Sequence, residues 1–276
     1  LSSSSAASDV YKRQVVFQNN LKKEITMVNK VAWITGAGSG IGEASAIKLA
    51  AEGFSVVLSG RTKGTLDTVA LKCKGQVSVK PLDVSNHEDV KVVFEEIISD
   101  YGRVDVLVAS AGLNAKNRNW HNVSDEDFDQ IIKIDLNGVF YTNRLVLEKM
   151  KEQGEGLIIN ISSWAGKYVS TLTGPAYTAA KHGVNALTEA INMEAGHFGV
   201  RACAICPGEV ATPILDKRPI PVSKEDKEKM VQPEDCAEAV AILAKQPPRV
   251  CINEITISPT WNRLYVADLT DQIPKK

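Results

Sequence analysis

The sequence has no excess of charge of either sign and no long apolar run. Its 32 Lys and Arg residues nearly balance 33 Asp and Glu residues, which leaves a formal net charge of -1. Proteins that bind nucleic acid or an anionic membrane surface through charge need a basic excess, so we expect neither partner. No apolar stretch reaches the length that crosses a bilayer. The composition is instead typical of a globular protein.

Cysteine is also sparse. The chain has five: Cys73, Cys203, Cys206, Cys236 and Cys251. Cys203 and Cys206 have the spacing of a redox pair or of two zinc ligands. They lie, however, in the apolar run 200–206, which is typical of a buried strand, where residues three apart face opposite sides. No second pair accompanies them and the four histidines are scattered. We therefore predict structural cysteines, no metal site and a cytoplasmic location.

Residues 1–26 do not share the pattern of the rest. They are rich in Ser and Ala, then polar and charged, and they lack the apolar core of a signal peptide. Met27 directly precedes a strand-like run. We predict that residues 1–26 are a disordered or non-native lead and that residues 27–276 form a single domain.

Strand-like and helix-like segments alternate from there onward. The predicted strands are 30–35, 55–59, 76–82, 104–109, 156–161, 200–206 and 254–257. The main predicted helices are 43–52, 86–101, 125–152, 177–196 and 233–245. Ser85 is the expected N-cap of the second helix, with Glu88 completing a capping box. The alternation predicts an α/β fold: a doubly wound, mostly parallel, seven-stranded Rossmann-type sheet with helices on both faces and ligands at the strands' carboxyl ends.

A glycine-rich turn separates the first strand from the first helix. Its spacing is Gly-x-x-x-Gly-x-Gly over residues 36–42, which differs from the commoner Gly-x-Gly-x-x-Gly. Such a turn lets backbone N–H groups approach a phosphate at the positive end of a helix. Its position between a strand and a helix favours a dinucleotide site. The predicted contacts are Gly36, Ser39, Gly40, Ile41 and Gly42.

Tyr177 and Lys181 are four residues apart in a predicted helix, so they share one face. A free phenol has a pKa of about 10 and is a poor acid at neutral pH. A neighbouring ammonium favours the phenolate and makes the tyrosine a usable proton donor or acceptor. This pair also arises often by chance on a surface, so its meaning depends on the motifs around it.

Together these motifs resemble the short-chain dehydrogenase/reductase family, from Met27 to about Trp261. The resemblance implies that Ser163, Tyr177 and Lys181 are catalytic and that Lys181 also binds the nicotinamide ribose. It implies that residues 207–213 cover the nicotinamide. The further cofactor contacts that it implies are Asp83 and Val84 at the adenine, Ala111, Gly112, Pro207, Gly208, Val210 and Thr212, besides Tyr177 and Lys181.

The expected chemistry is hydride transfer between the nicotinamide and a carbonyl or alcohol carbon of a small molecule. Tyr177 would act as general acid or base, and Ser163 would bind the substrate oxygen, with Ser162 as the alternative. Candidate walls of the substrate pocket, which are equally candidates for simple packing, are Trp164, Tyr168 and Trp120. A hydroxy acid, a sugar alcohol, a 3-oxoacyl thioester and a simple ketone all remain open as substrates.

Two departures from the family pattern stand out. Ala109 and Ser110 replace the usual Asn-Asn, and Asp135 stands where the family's fourth catalytic residue is an asparagine. Three roles are open for Asp135. It holds a relay water through its backbone carbonyl, as the resemblance implies, or its carboxylate carries a proton of its own. In the third it only accepts hydrogen bonds at a helix kink. A dinucleotide-binding regulator without turnover is therefore the alternative to an enzyme, although the complete Ser, Tyr and Lys set favours an enzyme.

The end of the second strand decides the expected cofactor. An acidic residue there binds the 2′-hydroxyl of NAD, but this position is Gly60. Arg61 follows, and a guanidinium pairs well with the 2′-phosphate of NADP. We therefore predict NADP, with NAD as the less favoured alternative. Arg61 would in that case only solvate the turn or cap a neighbouring helix end. The resemblance also implies a homodimer or homotetramer.

Overall fold

The computed structural model describes residues 30–218 and 222–266. Seven parallel strands form one sheet in the order β3-β2-β1-β4-β5-β6-β7. The strands are β1 Val31–Thr35, β2 Ser55–Ser59, β3 Val77–Val79, β4 Val106–Ala109, β5 Gly156–Ile161, β6 Val200–Pro207 and β7 Glu254–Ile257. The strand order reverses direction between β1 and β4, and such a switch point is where open α/β sheets bind ligands. The predicted Rossmann-type sheet is confirmed, and all its strand pairs are parallel.

Helices cover both faces of the sheet. They are α1 Gly40–Ala51, α2 Lys63–Ala70, α3 His87–Tyr101, α4 Asp125–Ile132, α5 Gly138–Gln153, α6 Pro175–Ala195, α7 Lys224–Lys229, α8 Pro233–Ala244 and α9 Arg263–Val266. One buried apolar cluster joins the sheet to α3, α5 and α6, and a second joins it to α1, α2 and α8. Because both faces are buried, the central strands are apolar along their whole length, as the sequence predicts.

The register aligns the ends of the strands. Thr35 at the end of β1 pairs with Ser59 of β2 on one side and with Ala109 of β4 on the other. In the same way Ile161 of β5 pairs with Ile205 of β6. The loops that follow these strands therefore open at one edge of the sheet, where sequence-distant side chains meet.

Helix α3 begins differently from the prediction. Its N-cap is Asn86, whose side chain accepts a hydrogen bond from the backbone N–H of Glu88 at 3.1 Å. Ser85 lies one residue before the cap, and its backbone N–H donates to the Asp83 side chain at 3.0 Å. The predicted Ser85 capping box is therefore wrong. Asn is as good an N-cap as Ser, and the two adjacent residues cannot be ranked by type alone.

The predicted helix 125–152 is interrupted. A π-helical segment, Lys133–Asn137, separates α4 from α5. An insertion of this kind rotates the residues that follow it and is frequent at functional sites. Gly138 then packs so closely that an added Cβ would lie 2.8 Å from the Val84 side chain.

Strand β3 is shorter than predicted because it lies at the edge of the sheet with β2 as its neighbour. The chain after it still follows β2, since Leu82 donates its N–H to Gly60 at 2.9 Å. The prediction for residues 1–26 lies outside the described residues. Within the described part of the chain, no helix combines the length and apolarity needed to cross a membrane.

Candidate active site

The glycine-rich turn is shaped by close backbone contacts. Gly36 has a φ of +66°, and a Cβ there would lie 2.8 Å from the backbone of Ala111. A Cβ on Gly42 would lie 2.2 Å from the carbonyl oxygen of Gly36. Both positions therefore require glycine. The hydroxyl of Ser39, the N-cap of α1, makes no capping hydrogen bond. The turn presents the N-terminus of α1 to the cavity, which suits a phosphate group.

The ends of β1 and β4 are joined by a side chain that the sequence reasoning did not single out. The Thr35 hydroxyl oxygen accepts the N–H of Ser110 at 3.2 Å and that of Ala111 at 3.4 Å. This bridge fixes the loop that carries Ala111 and Gly112 although the usual Asn-Asn is missing.

The second strand ends beside this turn. Gly60 and the exposed Arg61 line the same cavity. The Arg61 side chain makes no ion pair with any residue that the structure describes. A Cβ on Gly60 would lie 3.4 Å from the Leu66 side chain, which is an ordinary contact. The position therefore has room for a Cβ atom.

Helix α6 carries Tyr177 and Lys181 into the cavity. The Lys181 ammonium donates to the carbonyl oxygen of Ile161 at 3.0 Å and lies 5.4 Å from the centre of the Tyr177 ring. The Ser163 side chain lies near the Tyr177 hydroxyl and lowers its pKa, and its hydroxyl oxygen accepts the N–H of Ala165 at 3.1 Å. Ser162 instead donates its hydroxyl to the backbone oxygen of Lys181 at 3.2 Å. The structure therefore places Ser163, rather than Ser162, against the tyrosine.

The electrostatics of Tyr177 differ from the simplest expectation. Burial raises the pKa of its hydroxyl above the ordinary value, and the positive charge of Lys181 opposes that effect. The carboxylate of Asp135 raises the pKa of Tyr177 further, whereas Ser163 and Arg118 lower it. The influence of Lys181 has the predicted direction, but the net pKa of Tyr177 in the protein alone is raised. The phenol is therefore protonated at neutral pH and set up as a proton donor.

Asp135 lies in the π-helical segment and is completely buried. One carboxylate oxygen accepts the N–H of Leu113 at 2.8 Å, and the other lies 3.6 Å from the Lys181 ammonium. Asp135 thus contacts both the loop after β4 and helix α6, which is more than a hydrogen bond at a helix kink. The sequence pattern did not indicate the π-helical segment in which Asp135 lies.

The chain after β6 forms one side of the cavity. Gly208 donates its N–H to the carbonyl oxygen of Ile257 at 2.7 Å. A Cβ added to Gly40 would lie 3.1 Å from the Thr212 side chain, so the two segments are in close contact. Glu209 is buried and bonds to Arg218 at 2.7 Å and to Arg263 at 2.6 Å. Burial alone would raise the pKa of Glu209, but the two guanidinium groups outweigh burial and hold it below its usual value. Glu209 therefore anchors this segment as a carboxylate.

These elements enclose one cavity of about 500 Å³. All the predicted catalytic and cofactor residues line it except Gly42, which packs behind the turn. Trp164 and Tyr168 also line it, with their rings 5.4 Å apart, whereas Trp120 is 85% exposed and does not. Residues that line it and that the sequence reasoning missed include Asn114, Arg118, Leu172, Leu215 and Arg218. They lie in loops or in a short 3-10 helix (Pro213–Lys217), where hydrophobic periodicity carries no signal.

The Cys203 and Cys206 thiols are both buried in the core. Cys203 belongs to the cluster on the α1 side of the sheet, and Cys206 faces Asn185 of α6 at 3.7 Å, so the two point to opposite faces. Burial raises the pKa of Cys203 to about 12. Among the described residues, no three His, Cys, Asp or Glu side chains are grouped as metal ligands.

Comparison with known proteins gives a consistent result. A family model described as short chain dehydrogenase matches residues 30–220. An uncharacterized oxidoreductase of Staphylococcus aureus strain USA300 is 38% identical over 234 residues, which cover 84% of this chain and 98% of the relative.

Solved structures agree with the sequence relatives. An alcohol dehydrogenase of the archaeon Thermococcus sibiricus, complexed with 5-hydroxy-NADP, is 31% identical and covers 90% of this chain and 99% of its own, with a TM-score of 0.76. A 3-ketoacyl-(acyl-carrier-protein) reductase of Brucella melitensis, complexed with NADH, is also 31% identical with a TM-score of 0.76, covering 84% of this chain and 97% of its own. A serine dehydrogenase complexed with NADP+ is 28% identical with a TM-score of 0.76, covering 83% and 94%.

Proposed function

The chain belongs to the short-chain dehydrogenase/reductase family, and on that premise we propose that it interconverts a carbonyl and a secondary alcohol with NADP(H). One observation carries the proposal: Ser163, Tyr177 and Lys181 lie together on one wall of the cavity that begins at the glycine turn. The family and its oxidoreductase relatives favour an enzyme over a regulator without turnover.

The residues around the cavity fit a dinucleotide. The turn at Gly36 and Gly42 leaves backbone space that a Cβ would fill, and it opens at the N-terminus of α1. Phosphate groups would lie there. Asp83 and Val84 would contact the adenine, and Lys181 would bind the nicotinamide ribose. When bound, the cofactor supplies or accepts the hydride, which the protein side chains cannot do.

The protein's own task is to manage the proton. In the reducing direction Tyr177 donates its hydroxyl proton to the oxygen of the carbonyl that becomes the alcohol. Ser163, which lies beside Tyr177 in the cavity, also donates to that oxygen and stabilises the developing negative charge. In the oxidising direction the deprotonated Tyr177 takes the proton back, and the Lys181 charge stabilises that form. Lys181 is itself held in place by Ile161 and Asp135.

The choice of NADP rests on Gly60 and Arg61. The carboxylate that binds a 2′-hydroxyl is missing, and an exposed guanidinium lies at the same edge of the cavity. Two of the solved relatives cited above were complexed with NADP-type cofactors and one with NADH. Those relatives support a nicotinamide dinucleotide, and the preference for NADP is the part that Arg61 supports.

A carbonyl panel tests the function. The purified chain is mixed with NADPH or NADH and a set of ketones, aldehydes and oxo acids, and the absorbance of the reduced nicotinamide is followed. We expect consumption of NADPH with at least one carbonyl. Cofactor binding without turnover on a broad panel would favour the regulator instead.

Assembly into a homodimer or homotetramer stays a prediction, which light scattering at micromolar concentration tests.

A further inference from the structure

Two aromatic rings form the cavity wall next to Ser163. Trp164 directly follows Ser163 in the chain, and both residues line the cavity together with Tyr168 and Tyr177. The rings of Trp164 and Tyr168 meet edge to face, with their centres 5.4 Å apart. Neighbouring Cα atoms are only about 3.8 Å apart, so a substrate whose oxygen contacts Ser163 brings its nearest substituent close to Trp164.

This aromatic wall, which consists of Trp164 and Tyr168, lies on a closely packed turn. The backbone oxygen of Trp164 accepts the N–H of Lys167 at 2.9 Å and that of Tyr168 at 2.8 Å. A Cβ on Gly166 would lie 2.7 Å from the backbone oxygen of Lys181, so the turn packs directly against helix α6. The rings are therefore held in place before any ligand arrives. Groups that are already fixed bind a ligand with a smaller loss of conformational entropy.

A third ring supports Trp164 from helix α9. Tyr265 packs against the Trp164 indole, with the ring centres 5.6 Å apart. Within the described part of the chain, the buried indole N–H of Trp164 has no hydrogen-bond acceptor. The position of Trp164 therefore depends on packing against the two tyrosines. Tyr168 and Tyr265 are themselves 55% and 61% exposed, which leaves apolar ring surface beside the cavity for a ligand to cover.

Polar side chains that line the same cavity are bonded to the protein itself. These hydrogen bonds join Asn114 to Thr173, Arg118 to Leu172, Thr173 to Ser170 and Arg218 to Glu209. The bonds connect the loops around the cavity to one another. They therefore have a structural role, and the aromatic wall is the surface that remains for a substituent of the substrate.

We propose that the substrate carries an aromatic ring a few bonds from the reacting carbon, and that this ring lies against Trp164 and Tyr168. This inference rests on the proposed function, because it names the substrate class of the same site. Aromatic pairs prefer edge-to-face or offset-stacked arrangements, with ring centres about 4.5–7 Å apart, and they gain energy beyond the burial of their area. The oxygen at Ser163 and Tyr177 and the ring at Trp164 would together orient the carbonyl carbon.

The first experiment compares three ketones whose carbonyl groups are matched in reactivity. With NADPH and the full chain, kcat/KM is measured for benzylacetone, for its cyclohexyl analogue and for butanone. A saturated spacer separates each ring from the carbonyl, so no ketone is conjugated. We expect benzylacetone to exceed butanone by about ten- to hundred-fold, because the ring buries apolar area against the wall. An equal kcat/KM for benzylacetone and butanone overturns the inference.

The ratio of kcat/KM for benzylacetone to that for its cyclohexyl analogue isolates the aromatic contact. Trp164→Leu and Tyr168→Leu keep an apolar side chain and remove the aromatic ring. Each should lower this ratio by about two- to ten-fold relative to wild type, since an aromatic pair contributes beyond area burial. Trp164→Phe should retain part of the wild-type ratio. A ratio that is the same in the wild type and in both leucine variants overturns the inference.

Trp120→Leu is the matched control. It also exchanges an aromatic ring for leucine, but Trp120 is 85% exposed and is not among the residues that line the cavity. We expect the phenyl-to-cyclohexyl ratio to stay at the wild-type value in this variant. A fall as large as that in Trp164→Leu would show that the effect does not arise at the aromatic wall, and would overturn the inference.

A binding measurement separates this inference from the proposed function. The melting temperature is measured with NADP+ and each ketone, a mixture that cannot react because the cofactor is already oxidised. A larger rise with benzylacetone in the wild type than in Trp164→Leu supports the aromatic site, and equal rises with benzylacetone and butanone overturn it. Equal reduction of all three ketones would leave the oxidoreductase function standing while this inference fails. Ring-dependent stabilisation without consumption of NADPH would support the aromatic site while the proposed turnover fails.

Discussion

The Lys181 ammonium lies 3.6 Å from the Asp135 carboxylate, and both side chains are buried. A buried carboxylate at this distance compensates the lysine charge that would otherwise act fully on Tyr177. Asp135 also raises the pKa of Tyr177 directly. We therefore propose that Asp135 helps the tyrosine to keep its proton, an electrostatic effect that a neutral asparagine would not have.

Replacing Asp135 should change the pH profile of reduction. Reduction needs protonated Tyr177, so kcat/KM falls as the pH rises through the pKa of Tyr177. Asp135→Asn removes a charge that raises this pKa, so the alkaline fall should move to lower pH. The profile of kcat/KM against pH checks this. The exposed Asp129→Asn, on α4, is the control and should leave the profile unchanged. An alkaline limb that stays in place or moves upward in Asp135→Asn contradicts the assigned role.

Removing the hydroxyl of Tyr177 should remove turnover but not binding. Tyr177→Phe keeps the ring and loses the proton donor, so kcat should fall by about 10²-fold or more. NADPH titration, followed by fluorescence, should give a nearly unchanged Kd. Tyr141→Phe is the matched control, because Tyr141 packs against His87 away from the cavity. Near-normal turnover in Tyr177→Phe would show that another group handles the proton.

The cofactor preference should depend on two adjacent residues. A hydrogen bond to a charged group contributes roughly 1.5–3 kcal/mol, so Arg61 should give about a ten- to hundred-fold preference for NADPH. Gly60→Asp with Arg61→Ala should shift kcat/KM toward NADH, and an added Cβ at position 60 makes only an ordinary contact with Leu66. Lys63→Ala, which removes the surface pair with Asp67, is the control. A wild-type preference for NADH would falsify the assignment.

Glu209 should stabilise the fold in a pH-dependent way. The pKa of Glu209 is lowered in the folded protein. Its contribution to the free energy of unfolding is therefore fully present at pH above the pKa of the unfolded state. That contribution is lost as the pH falls through the pKa of the folded state. At neutral pH, Glu209→Gln should cost about 1–3 kcal/mol, or a few degrees in Tm. The difference in Tm between wild type and variant should shrink below about pH 4.5. Glu225→Gln removes an exposed pair with Lys229 and should change Tm little.

Local pattern was enough to determine much of this protein. The alternation of strands and helices, the glycine turn at residues 36–42 and the shared face of Tyr177 and Lys181 all depend on neighbours within a few residues. These features can be predicted from the sequence, because backbone sterics and helical periodicity act between residues that are close in the chain. The strand β7 has the predicted bounds, and the family resemblance carried by these motifs is confirmed.

Tertiary structure decided what depends on distant contacts. The π-helical segment that contains Asp135 and the burial of Arg118 follow from packing against residues far away in sequence. The cap at Asn86 rather than Ser85 is local, but residue type alone does not rank the two. The net pKa of Tyr177 is another case, because burial by the whole fold outweighs the neighbouring Lys181. Desolvation and long-range charge depend on which loops meet at the sheet edge, and no spacing in the sequence encodes that meeting.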